Sequence, residues 1–299
     1  MLASLFRTKS IEQILADSER PEHRLKKTLT VWDLTALGLG GIIGTGIFVL
    51  VGTAVVGDAH RPGAGPGIVL SFILSGVTCA LAALCYAEFA AMIPVAGSAY
   101  TYSYATLGEF LAWITGWNLI LEYGVACVAV AIGWSGYFNN ILKTLGLALP
   151  AWATHAPGSA EGGVANLPAA IIVLLVTVVL VLGVKESARA TALIVVVKLA
   201  VIVFFLAVGF WSVEPANWSP FMPYGFKGVG AAAAIVFFAY IGFDAVSTTA
   251  EEARNPQRDL PISIIASLSI CGVLYVLVSA VLTGIIPYTR IDIHAPVAE

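Results

Sequence analysis

Long apolar runs separated by short polar clusters fill the chain from about residue 31 to residue 286. Crossing a hydrocarbon core of about 30 Å takes roughly 20 residues of helix. Runs of that order lie at 31–57, 66–91, 110–138, 167–184, 190–211, 228–250 and 261–286. They lack the roughly ten-residue polar and apolar alternation of an outer-membrane barrel strand, so the pattern predicts an all-α membrane protein with seven transmembrane helices. Residues 1–30 read as a tail and 287–299 as a loop after the seventh span.

Within two of these runs the pattern is interrupted. Residues 38–48, GLGGIIGTGIF, carry Gly38, Gly40, Gly41, Gly44 and Gly46 near the middle of the first crossing. Each glycine costs a helix interior roughly 1 kcal/mol against alanine, so the spacing predicts unwinding at Ile43, Gly44 and Thr45. Freed amides and carbonyls find no partner in lipid, only in a protein-lined cavity or a polar ligand. An amino acid zwitterion answers both: its carboxylate accepts from amides at the start of the outer half-helix, and its ammonium donates to freed carbonyls. In the sixth run, AAIVFFAYIGFDAVS, Gly242 and Asp244 interrupt residues 233–247. Gly44 and Gly242 each fall in the first helix of a five-helix unit, the place where secondary transporters built from inverted repeats pair their broken helices. No residue-by-residue similarity between the two units supports the repeat.

Charges inside the spans are the next departure from pattern. Lys198 lies roughly 12 Å of helix from the nearer end of the fifth span, where a charge costs at least about 2.5 kcal/mol on insertion scales. Two readings stay open for it. It couples transport to protons by loading and releasing one, or it is a permanently charged cation bonded to carbonyls of the broken first helix. Glu122, in ITGWNLILEYG, lies roughly 18 Å along the third span from Phe110 and either lines the cavity or bonds a neighbouring helix. Asp33, Glu88 and Glu109 sit near span ends, where caps and solvation explain them. EEARNPQRDLP at 251–261 reads as a solvated turn, and residues 8–20 as an interfacial helix with Ile11, Ile14 and Leu15 on its apolar side or as a flexible tail.

Orientation follows from basic residues in short loops. Helix parity groups Arg7, Lys9, Arg20, Arg24, Lys26 and Lys27 of the tail with Lys185, Arg189, Arg254 and Arg258, against Arg61, Lys143, Lys227 and Arg290. The amino terminus is therefore expected in the cytoplasm. Composition agrees with a membrane protein: 59% hydrophobic and 11% charged residues over 299 positions exceed what a soluble domain hides. A net charge of −3 offers no basic surface for nucleic acid. Cys79, Cys85, Cys127 and Cys271 fall within apolar runs and read as packing residues, while His23, His60, His155 and His294 lie in tail or loops and form no spaced metal cluster. No cofactor, metal or enzymatic constellation is expected.

GGIIGTGIF, CYAEF, GSAYTYSYATLGE, ITGWNLILEYG, FFAYIGFDAVS and EEARNPQRDLP, in this order between Thr28 and Pro287, together resemble the cationic amino acid transporter family of the amino acid, polyamine and organocation superfamily. The resemblance implies a multi-pass transporter of a bacterial cytoplasmic membrane with twelve or more helices, two inverted five-helix repeats, discontinuous helices 1 and 6, and alternating access driven by protons. It places the substrate carboxylate at the backbone of Ile43, Gly44, Thr45 and Gly46 and the ammonium at carbonyls of Ile42, Phe238, Ala239 and Ile241, with Phe238 as a gate. Lys198 matches the family's buried lysine and stands where relatives use sodium. Amino acid, protons and lipid are the implied partners; the oligomeric state is not implied. Ending at Glu299, the chain reads as a fragment holding two helices of the second repeat, so the side-chain specificity and the choice among transport, channel and sensor stay open.

Overall fold

The computed structural model describes residues 6–19, 25–58, 60–159, 162–182, 184–291, 293 and 296, with side chains of 182–191 left aside. The readings placed on His23, His294, Arg20, Arg24, Lys185 and Arg189, and most of the closing loop, lie outside what is described. Among the described residues the architecture is helical, with only isolated backbone bridges, Leu29 with Ala253 and Gly57 with Pro62.

Among the described residues, six helices are long and apolar enough to cross a membrane. Helix 1 covers Val31–Val56, helix 2 Gly65–Met92, helix 3 Glu109–Thr144, helix 6 Gly225–Glu252 and helix 7 Pro256–Ile285. Helix 5 runs Val184–Phe210, with Ala192–Phe210 as its apolar stretch. In the predicted fourth span, helix 4 is described over Leu167–Leu182, 16 apolar residues ending beside a position outside the described set. Helix 3 exceeds its predicted length because its polar end, YFNNILKT, continues the helix to Thr144. The turn expected near 185–189 is instead the start of helix 5.

Capping explains where helix 1 begins. Thr30 accepts from the Asp33 amide while the Asp33 carboxylate accepts from the Thr30 amide at 2.9 Å, a reciprocal capping box. Just before it, the amides of Thr28 and Leu29 both donate to the Glu252 carbonyl at 2.8 and 2.9 Å, and Arg254 N donates back to Leu29 O at 2.9 Å. The Arg254 side chain adds a bond to Thr28 O, and the Glu251 carboxylate accepts from Ala96 N at 3.2 Å. Residues 251–254 are thus a docking seam rather than a simply solvated turn, and residues 256–261 open helix 7. The tail forms a short helix, Ile11–Ser18, whose Ile14 is buried and whose Ile11 and Leu15 pack on the core. That face covers protein.

Helix 7 packs along helices 1 and 2. Helix 2 is joined to the first half of helix 6 by two serines one turn apart, Ser71 to Val229 O and Ser75 to Ala233 O, each at 2.8 Å. Spacing of four on both helices keeps the pair in register. Helices 3, 4 and 5 turn large apolar side chains outward, among them Trp117, Leu174 and Phe204. Cys79 and Cys271 are buried as expected, whereas Cys85 on helix 2 and Cys127 on helix 3 are exposed.

Close packing of the two interrupted helices requires particular glycines. A Cβ on Gly46 would stand 2.3 Å from Ala239 Cα, whereas one on Gly44 would meet nothing within 4 Å. Gly46→Ala should therefore destabilise by about 1–3 kcal/mol, as overpacking does, while Gly44→Ala stays within about 0.5 kcal/mol of the parent. Thermal unfolding in detergent followed by tryptophan fluorescence compares them, and equal midpoints would refute this packing.

Candidate functional site

Helix 1 is regular to Ile42, breaks at Ile43 (φ −73°, ψ 104°), and resumes as a π-turn at Gly46–Leu50 followed by α-helix at Val51–Val56. Among the described residues the amides of Gly44 and Thr45 have no backbone acceptor. The Thr45 hydroxyl is buried without a partner, and the space beside Gly44 is open. The break lies at Ile43 and Gly44, two of the three residues predicted to unwind, while Thr45 already has helical angles (φ −58°, ψ −20°).

Helix 6 breaks at the same level. Its α-helical part ends at Val236, tightens to 3-10 over Phe237–Tyr240, and turns at Ile241 (ψ 140°). Gly242 follows with φ 110°, a backbone region natural to glycine. The two breaks touch: a Cβ on Gly242 would lie 2.8 Å from Gly41 O. Ile42, Ile43, Gly44, Thr45 and Gly46 on one side and Phe238, Ala239 and Ile241 on the other therefore border one region of exposed peptide groups.

Not all these groups are vacant. Tyr275, on helix 7, places its hydroxyl 2.8 Å from Ile42 O and 2.9 Å from Ala239 O, so one proton is shared between the two breaks. Phe238 O accepts from Ile241 N at 3.2 Å. Each carbonyl keeps a second lone pair, which an ammonium can use. Tyr275 was missed in the sequence because a lone tyrosine in an apolar helix carries no local signal.

Lys198 donates to Gly40 O at 3.3 Å and Ile43 O at 2.9 Å, the carbonyls freed just before and within the break of helix 1. Its ammonium thus occupies a position defined by the missing helical bonds. No ion pair joins it to Glu122 among the described residues. Glu122 is instead an electrostatic neighbour of Asp244, so the sequence-predicted coupling residues occupy two loci rather than one.

Asp244 begins the second part of helix 6 and is 4% exposed. Its Oδ2 accepts from the Tyr123 hydroxyl at 2.9 Å and lies 3.4 Å from Ser98 Oγ. A carboxylate in an otherwise apolar run, next to a helix-breaking glycine, was visible in the sequence as an interruption. Its partners were not, since they lie on helix 3 and on the connecting helix Ser98–Thr106.

Two broken helices and a lysine bound to the break have the composition of a ligand site built from backbone. A family model described as "Amino acid permease" matches residues 29–297. The chain belongs to the amino acid permease family. Among curated relatives of this permease is the methylthioribose transporter of Bacillus subtilis, 53% identical over 99% of this chain and 63% of that protein. The branched-chain amino acid permease BcaP of the same organism is 53% identical over 97% of this chain and 61% of that one. Cationic amino acid transporter 1 of Arabidopsis thaliana is 41% identical over 93% and 46%. The chain therefore spans less than two thirds of the length of these relatives. The permease family and the bundle of apolar spans make it a multi-pass membrane protein.

Removing the Tyr275 hydroxyl should expose how much the shared bond holds the breaks together. Tyr275→Phe leaves two buried carbonyls short of a donor, and the loss should be about 1–3 kcal/mol. An unchanged denaturation midpoint in the same detergent would show that the bond contributes nothing.

Proposed function

We propose that this permease is a secondary active transporter that carries amino acids across the cytoplasmic membrane by alternating access, with uphill movement driven by protons. The observation that supports it best is the meeting of the two breaks, where the amides of Gly44 and Thr45 have no backbone acceptor among the described residues and the space beside the Gly44 Cα is open. The substrate carboxylate accepts from those amides, favoured by the positive end of the outer half-helix. Its ammonium donates to the remaining lone pairs at Ile42, Phe238, Ala239 and Ile241. Phe238, half-buried at the turn, gates the cavity.

Protonated Lys198 makes charge-assisted bonds to the Gly40 and Ile43 carbonyls, which are roughly twice as strong as neutral ones. Loss of its proton loosens the inner half of helix 1 at the break. That links proton occupancy to helix position without sodium. Glu122, beside Asp244, supplies a second protonatable locus on the half of the bundle nearer the amino terminus, which faces the cytoplasm. The two discontinuous helices are read as equivalent members of inverted five-helix repeats. The two bacterial relatives at 53% identity carry different substrate names, so backbone recognition sets the common site and the side-chain pocket sets the cargo.

Reconstitution into sodium-free proteoliposomes tests this reading with radiolabelled alanine and arginine under an inward proton gradient. Native protein should accumulate one of them saturably. Lys198→Ala should lose gradient-driven accumulation while retaining counterflow exchange. Accumulation undiminished in the variant would remove Lys198 from coupling. Binding without flux would point to an amino acid sensor, and unsaturable current to a channel.

A further inference from the structure

Helix 3 bonds to both interrupted helices, once on each side of the breaks. Beyond the break of helix 1, on the face opposite the amino terminus, the Tyr137 hydroxyl donates to Phe48 O in the π-turn Gly46–Leu50. On the amino-terminal side of the break of helix 6, the Tyr123 hydroxyl donates to Asp244 Oδ2 at 2.9 Å. The two tyrosines are 14 positions apart, which is about 21 Å of helix and close to four full turns, so both leave helix 3 on nearly the same face. Between them Gly133 marks the level of the break: a Cβ there would stand 2.5 Å from Thr45 Cγ2 and 3.0 Å from Val49 Cγ2.

The helices that receive these bonds are cross-linked to one another. Ser71 and Ser75 tie helix 2 to helix 6, Tyr240 on helix 6 donates to Phe72 O on helix 2, and Tyr275 on helix 7 joins helices 1 and 6. A shift of one of the four against helix 3 therefore carries the others. A tilt of this group about the level of Gly133 lengthens one tyrosine bond and keeps the other, because the two lie on opposite sides of that level. Such a bond is lost once its oxygens part by more than about 3.5 Å. Phe48 O is main chain, so it moves only with helix 1, and Asp244 opens the second part of helix 6.

We propose that Tyr137 and Tyr123 form a reciprocal pair of latches, Tyr137 closing the breaks toward the face opposite the amino terminus and Tyr123 closing them toward the amino-terminal face. Release of either bond opens the path on its own side only. Gly133 sets how closely the first latch shuts, since a larger residue wedges helix 3 away from Thr45 and Val49. The pair rests on the transport reading, in which alternating access needs one side open while the other stays closed. Each tyrosine is a positioning residue that acts through the helix it holds. Deleting one hydroxyl removes stabilisation from the states closed on that side and shifts the population toward those open there.

Gly44→Cys, at a position where a Cβ meets nothing within 4 Å, reports access to the break once Cys79, Cys85, Cys127 and Cys271 are replaced by alanine. The full-length permease is labelled with a membrane-impermeant maleimide in right-side-out and inverted vesicles, and the ratio of labelling from the two faces is read by mass spectrometry. Tyr137→Phe should move the ratio roughly fivefold toward the face opposite the amino terminus, the factor to which one net hydrogen bond corresponds. Gly133→Ala should move it the same way. Tyr123→Phe should move it as far toward the amino-terminal face, and the double variant Tyr123→Phe with Tyr137→Phe should return close to the parent ratio. Ser75→Ala removes a bond inside the four-helix group and should leave the ratio unchanged, so a merely structural hydroxyl reads differently from a latch. A ratio unmoved by either tyrosine variant, a shift of both in one direction, or a cysteine unlabelled from both faces in every variant would overturn the proposal. Counterflow of labelled amino acid by the same variants with Gly44 intact separates this proposal from the transport reading. Flux with an unmoved ratio sinks the latches and leaves transport standing; a reciprocal shift without flux keeps the latches and removes transport.

Discussion

Hydrocarbon cannot replace a lost backbone hydrogen bond, and the arrangement at the centre of this bundle follows from that constraint. Helix 1 gives up its regular pattern at Ile43 and helix 6 at Ile241. The freed carbonyls then recruit donors from neighbours: Lys198 to Gly40 and Ile43, and Tyr275 to Ile42 and Ala239. Among the described residues the amides of Gly44 and Thr45 keep no backbone acceptor. Neighbouring side chains thus answer several of the freed carbonyls, and the amide side is left suited to an anion.

The donors differ in kind across the bundle. Contacts among helices 1, 2, 6 and 7 are hydroxyl-to-carbonyl bonds from buried side chains, such as Ser71, Ser75, Tyr240 and Tyr275. Ser263 adds one from helix 7 to Val31 O at helix 1's start. Contacts from helices 3 and 5 into this group include ionisable partners, Tyr123 with Asp244 and Lys198 with the helix 1 break. The first set is made by hydroxyls alone, whereas the second brings a carboxyl and an amine to the boundary between the four-helix group and its surroundings.

The sequence made the broken helices legible because glycines and a charge in an apolar run violate the helix pattern locally. Ile43, Gly44 and Thr45 could be named from spacing alone. Tyr275, Tyr123 and Ser98 could not, since each acts across a distance of 36 or more residues, and periodicity carries no information about such pairings. The seam at 251–254 read as solvated because its polar composition hides that the partners are backbone groups of Thr28 and Leu29.

Lys198 also shows why the two sequence readings of it are not exclusive. Its bonds to Gly40 and Ile43 are those expected of a structural cation. A cation that completes a broken helix stabilises one arrangement of that helix, and any proton it loses weakens the same arrangement. Under the proposed alternating access, in which helix 1 takes two positions, that structural bond is also the coupling device. The readings then differ only in whether the lysine titrates as helix 1 moves.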